Sequence, residues 1–229
     1  MKTKMKALTL VLCAMLLVVA SVMGTLAYLN ATSEVVQNTF TVGNVAITLD
    51  EAKVNLYGLP VDANDNVLDD VDDAPRVLGN EYKLLPGRTY TKDPTVTVAK
   101  GSEKCFVRMI VTITDYQDVL KVLGDDFLPQ NFVAGWDSQI WASTGVITVS
   151  EDGNTATYEF RYMGTVDARE DAQKLPALFT SFTMAGNVEN ADLALLEEME
   201  INVVAHAMQA DGFEDNVEAA WAAFDEQNK

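Results

Sequence analysis

Cys105-Phe-Val-Arg-Met-Ile-Val-Thr-Ile113 is the stretch on which the fold turns. Cys105, Val107, Met109, Val111 and Ile113 alternate with Phe106, Arg108, Ile110 and Thr112, so both faces of an extended segment are largely apolar. That pattern predicts a strand near the centre of a sheet, covered on both sides.

Similar strands lie on either side of it. Thr95–Ala99 alternates. Phe40, Val42, Val45, Ile47 and Leu49 mark an earlier strand with a bulge or kink at Gly43-Asn44. Val146–Val149 and Thr155–Tyr162 flank Glu151-Asp-Gly-Asn154, a hairpin signal because Gly and Asn tolerate the positive φ of a tight turn. Leu178–Met184 and Ile201–Gln209 complete seven or eight strands. Helical spacing interrupts this set: Tyr116, Val119, Leu120 and Leu123 stopping at Gly124; Ala191–Met199; and a last segment with Asp211 as cap and Val217, Ala220, Trp221 and Phe224 on one face. Strands in runs with isolated helices predict a mainly β protein, an antiparallel jelly-roll-like β-sandwich with a few short helical insertions.

The charge excludes several partners. Of 229 residues, 34 are Asp or Glu and 16 Lys or Arg, a formal net charge of -18. Such a field repels a phosphate backbone, so nucleic-acid binding through a basic face is not expected. Two Cys and one His cannot supply a disulfide scaffold, a Cys-rich zinc module or a two-His metal site.

Lys2, Lys4 and Lys6 precede the apolar run Ala7–Met23, followed by Gly24-Thr-Leu-Ala27. A basic start, an apolar centre and small residues at -3 and -1 (Thr25 and Ala27) predict an export signal over residues 1–27, cut between Ala27 and Tyr28. The run is short for a ~30 Å hydrocarbon core, so contact with a membrane is expected only through this leader before cleavage. Residues 28–229 then read as a single secreted domain of formal charge -21 with Cys105 as its lone thiol, expected to be buried.

Few residues suggest chemistry. Asp62, Asn64 and Asn66, with Asp73 at the twelfth position, have the spacing of oxygen ligands in a Ca²⁺ loop, although Val67 stands where the sharp turn needs Gly; a solvated acidic loop is the competing reading. His206 shares a strand face with Val204 and Met208, and a structural role is expected for it. Trp136 and Trp141 suit either the core or a sugar-stacking surface. No Gly-x-Ser-x-Gly elbow or HExxH pair occurs, so no catalytic residue is assigned and no enzyme is expected.

Gly24-Thr-Leu-Ala-Tyr-Leu-Asn30, Asn38-Thr-Phe-Thr-Val-Gly-Asn-Val-Ala-Ile47, Leu84-Leu-Pro-Gly-Arg-Thr-Tyr-Thr-Lys-Asp-Pro94 and Ile201-Asn-Val-Val-Ala-His-Ala-Met-Gln-Ala-Asp-Gly-Phe213 together resemble the TasA/camelysin family of Gram-positive bacteria. The acidic loop and Leu123–Gly145 have no counterpart in that pattern. The resemblance implies an extracellular subunit that, after cleavage by a SipW-type signal peptidase, polymerises with itself into cell-surface or biofilm-matrix fibres, with other matrix or wall-anchoring proteins as further partners. It also implies that the freed segment 28–40 is donated to a neighbouring subunit. Tyr28, Leu29, Val35, Val36 and Phe40 are the side chains expected to anchor it. Two alternatives stand beside this: a camelysin-like metallopeptidase and an exported carbohydrate- or protein-binding module.

Overall fold

A computed structural model of the chain describes residues 44–213 and 216–228. The strands are β1 (Ile47–Ala52), β2 (Arg76–Val77), β3 (Thr89–Thr91), β4 (Thr95–Val98), β5 (Ser102–Ile113), β6 (Val133–Ala134), β7 (Trp141–Val149), β8 (Ala156–Tyr162), β9 (Val166–Ala168), β10 (Gln173–Lys174), β11 (Ser181–Thr183) and β12 (Ile201–Gln209). The helices are α1 (Tyr116–Leu123), α2 (Pro129–Phe132), α3 (Asn190–Leu193) and α4 (Val217–Gln227). The protein is thus mainly β, with antiparallel sheets and a few short helices.

The strand that decided the reading is central, as expected. β5 lies between β12 and β8 in a sheet ordered β12-β5-β8-β7, with β9 also pairing β5. Cys105, Val107, Met109, Val111 and Ile113 are buried in the main core with Val96, Val98, Trp141, Tyr158, Phe160 and Phe182. On the opposite face Phe106 packs with Ala210, Ala220 and Trp221 beneath α4. The remaining strands form the sheets β10-β4-β1-β2 and β3-β11-β6.

The hairpin falls where its turn chemistry placed it. Gly153 takes φ 72°, and the Asp152 carboxylate accepts from the Asn154 amide at 3.0 Å and the Ser150 hydroxyl at 2.6 Å, closing the turn between β7 and β8.

Four expectations need correction. Among the described residues twelve strands replace seven or eight, because six of them (β2, β3, β6, β9, β10 and β11) are two or three residues long, below the reach of a period-two signal. Within Leu178–Met184 only β11 is regular; Leu178 and Phe179 are buried, but the Leu178 amide bonds to Pro94 outside the β3-β11-β6 ladder. The helix over Ala191–Met199 divides into α3 and a 3-10 turn at Ala194–Leu196, which brings Leu193 and Leu196, three apart, onto one buried side. The cap of α4 is Asn216, which accepts from the Ala219 amide at 3.0 Å, whereas Asp211 lies in the preceding turn with Gly212 at φ 86°.

Candidate functional site

Two strand edges face a common groove. In β12, Glu200 and Ala210 bond to Thr114 and Lys104 at either end of the β5 ladder, so even-numbered residues spend their backbone groups on β5. Ile201, Val203, Ala205 and Ala207 therefore turn theirs outward. In β1, Ala46 accepts from Ala99, which commits the even-numbered residues to β4 and turns Ile47 and Leu49 the other way, before β2 begins pairing at Glu51. These outward groups have no hydrogen-bond partner among the described residues. The side chains of both sets are half-buried against the main core. A cavity of about 530 Å³ opens here, walled by Leu49 from β1 and by Ile201 and Val203 from β12.

One wall of this cavity is polar. Lys92 Nζ donates to Glu51 Oε2 at 2.8 Å, with both side chains buried. Asn80 Nδ2 donates to Glu51 Oε1 at 2.8 Å and to the Ala52 carbonyl at 2.9 Å, while its own oxygen accepts from the Val54 amide. Tyr82 donates to the Thr91 carbonyl; burial, reinforced by the nearby Glu51 and Asp93 carboxylates, drives its phenol pKa upward. Arg76 spans Asp50 at 2.8 Å and Asp93 at 2.5 Å, pinning the end of β1 to the start of β4. Each buried charge is partnered, as low dielectric requires. These bonds commit Glu51, Asn80 and Lys92 to holding β1 and the segments around Asn80 and Lys92 together.

The second polar cluster lies on the other face of the β12-β5-β8-β7 sheet. Arg108 is 4% exposed. Its Nε donates to His206 Nδ1 at 3.2 Å, and its outer nitrogens reach both Asp225 oxygens on α4, with Glu159 3.6 Å away. Trp221 and Phe224 stack on the guanidinium at 4.5 and 5.1 Å, and the His206 ring lies 4.8 Å from Phe224. Arg161 joins Glu159 to Glu218 on α4. Burial first, and then the Arg108 charge, lower the His206 pKa, so the imidazole is neutral and accepts at Nδ1. This cluster ties the helix to the sheet.

The sequence-predicted positions are distributed as follows. Thr25, Ala27, Tyr28, Leu29, Val35, Val36 and Phe40 lie outside the described residues. In the acidic loop, Asp62 Oδ1 accepts from the Asn64 and Asn66 amides at 2.7 and 2.9 Å and Oδ2 from Asn66 Nδ2 at 2.9 Å, bonds that lower its pKa. Asp73 is in a separate 3-10 turn (Val71–Asp73) capped by Asp70. Among the described residues no group of three His, Cys, Asp or Glu is placed to hold a metal ion. Trp141 is buried and donates to the Pro176 carbonyl at 3.0 Å, and Trp136 donates to the Trp141 carbonyl at 2.8 Å and packs edge-on to Phe160. Neither indole forms an open stacking platform. Cys105 is buried, which pushes its thiol up to about 11.

Sequence reasoning missed both ion clusters and the pairing of two free edges. Arg108, alone among apolar neighbours, was the signal for the second cluster. The Lys92–Glu51 pair, 41 residues apart, left none. Comparison with protein-family models, curated proteins and solved structures finds no match.

Proposed function

We propose that this chain is a secreted structural protein, a subunit of cell-surface or matrix fibres assembled by strand donation after its leader is removed. The groove between β1 and β12 is the observation that carries the reading. Both edges carry outward backbone groups over half-buried apolar side chains, and a cavity of about 530 Å³ opens at Leu49, Ile201 and Val203. An extended peptide satisfies such groups by strand addition, and apolar side chains at alternate positions fill the pockets. Segment 28–40 of a neighbouring subunit, with Val35, Val36 and Phe40, is the proposed donor. Export would then be the assembly switch, since the donor end is freed only by the cut before Tyr28.

The peptidase and sugar-binding alternatives have no such support among the described residues. His206 is held by Arg108, and Trp136 and Trp141 face inward. Negative-stain microscopy tests the fibre reading. Protein beginning at Tyr28 should form filaments, and a bulky fusion ahead of Tyr28 should abolish them. Val203→Pro should also abolish them, because it deletes an outward N–H without touching the β5 ladder. Equal polymerisation of all three would overturn strand donation.

A further inference from the structure

The opposite end of the same sheet is also open. β7 is its last strand and pairs only with β8. The Ser150 amide bonds to Thr155 at the hairpin end of that ladder, so Thr148 also turns its backbone to β8 while Ile147 and Val149 turn theirs outward. Those outward groups have no partner among the described residues. Ile147 and Val149 share a face with the buried Tyr158 and Ala156, yet they are 40% and 47% exposed, and neighbouring Val146 is 64% exposed. Trp141–Val149 has neither a charged residue nor a proline. Edges left to face water are ordinarily blunted by such residues.

We propose that this edge is a self-pairing surface, on which two copies of the chain meet antiparallel about a two-fold axis at Thr148. A neutral strand in a chain of net charge -18 is a place where equally acidic copies can meet with little repulsion. The register is self-complementary. With Thr148 opposite Thr148 of the second copy, Ile147 stands opposite Val149 and Val149 opposite Ile147. Each opposed pair consists of outward-facing residues and exchanges two N–H···O bonds. The four apolar side chains continue the inner face of the sheet across the axis. Glu151 and Asp152 of the turn then fall opposite Gly145 and Thr144, so no like charges are opposed. Such an isologous contact closes at two, and its area is small beside the ~1,200 Å² of a stable interface, so the dimer is weak and concentration-dependent. It does not depend on strand donation; in a fibre it would pair strands of subunits side by side.

Cross-linking of the exported protein tests this. Residues on the axis form a pair without mutual hydrogen bonds, about 4.5 Å between Cα atoms, which a disulfide can span. Thr148→Cys should give a disulfide-linked dimer on mild oxidation at least tenfold faster than Met163→Cys, a substitution at a 57% exposed site away from both edges and the cavity. Adding Ile147→Glu should slow the Thr148→Cys reaction at least tenfold. Combining Ile147→Glu with Val149→Lys places opposite charges across the axis and should restore it. Equal rates for Thr148→Cys and Met163→Cys, or indifference to Ile147→Glu, would overturn the pairing. Filaments that form without this cross-link would overturn the pairing and leave strand donation standing; cross-linking without filaments would do the reverse.

Discussion

The two faces of β5 are closed by different means. The inner face is a continuous apolar surface in which Cys105, Val107, Met109, Val111 and Ile113 are all buried among side chains from several strands. The outer face has a small cluster around Phe106 and Trp221, and beside it a helix held by charge: Arg108 to Asp225, and Arg161 to Glu218. One face depends on the shape of the whole domain. The other depends on a single helix, joined to β12 by a short connection, that carries its own ties. Substitutions inside should therefore unfold the domain, and substitutions outside should release α4 while the sheet persists.

The largest effect is expected at Met109, wholly buried at the centre of the inner face. Met109→Ala leaves a cavity and should cost about 2–5 kcal/mol of global stability in denaturant unfolding. A loss as small as that of a surface substitution would mean the inner face is not the organising core. Next comes Arg108→Met, which keeps the apolar stem and removes the charged hydrogen bonds. Asp225 is exposed enough to be resolvated, so the cost should be only about 1–3 kcal/mol. Hydrogen exchange should place it in α4, whose amides exchange faster while those of β5 and β8 stay protected. Equal deprotection of β5 would erase the distinction between the faces. Trp221→Phe should cost less again, under about 1.5 kcal/mol, because the buried indole N–H has no partner to lose and the ring over Arg108 is retained. A loss matching that of Met109→Ala would show that the outer cluster is as shape-dependent as the inner one.

This contrast also separates what was legible in the sequence from what was not. The inner face of β5, the β7–β8 turn and α1 were readable because each rests on a local rule: alternation, a Gly-Asn turn, three- and four-residue spacing. β12 was read with its bounds for the same reason. The groove was not, since nothing local says that Leu49 and Val203, 154 residues apart, stand on facing free edges. Nor was the Lys92–Glu51 pair, for no local pattern links two residues 41 apart. His206 was read as structural; its ties to Arg108 and Phe224 became visible only once β5, β12 and α4 were brought together.

The smallest expected effect, and the one that bears most directly on the outer face, is produced by acid. His206 is faced by Arg108 from β5, Glu159 from β8 and Asp225 from α4. Burial and the Arg108 charge hold its pKa below the ordinary 6.5, with Asp225 and Glu159 offsetting part of that. The unfolded or undocked form therefore takes up the proton first. The contribution of neutral His206 is complete above pH 6.5 and is lost as pH falls from there toward the lowered folded value. Asp225 behaves differently in range though not in sign: the Arg108 hydrogen bond holds its pKa below 3.8, so its contribution lasts until pH drops through about 4. Release of α4 on acidification should accordingly come in two phases, read as faster amide exchange, corrected for intrinsic pH dependence, in Val217–Gln227. His206→Gln keeps an acceptor for Arg108 but cannot titrate; it should remove the upper phase and leave the lower one. An upper phase that survives in that variant would assign it to some group other than His206 and would leave the outer face tied by its carboxylates alone.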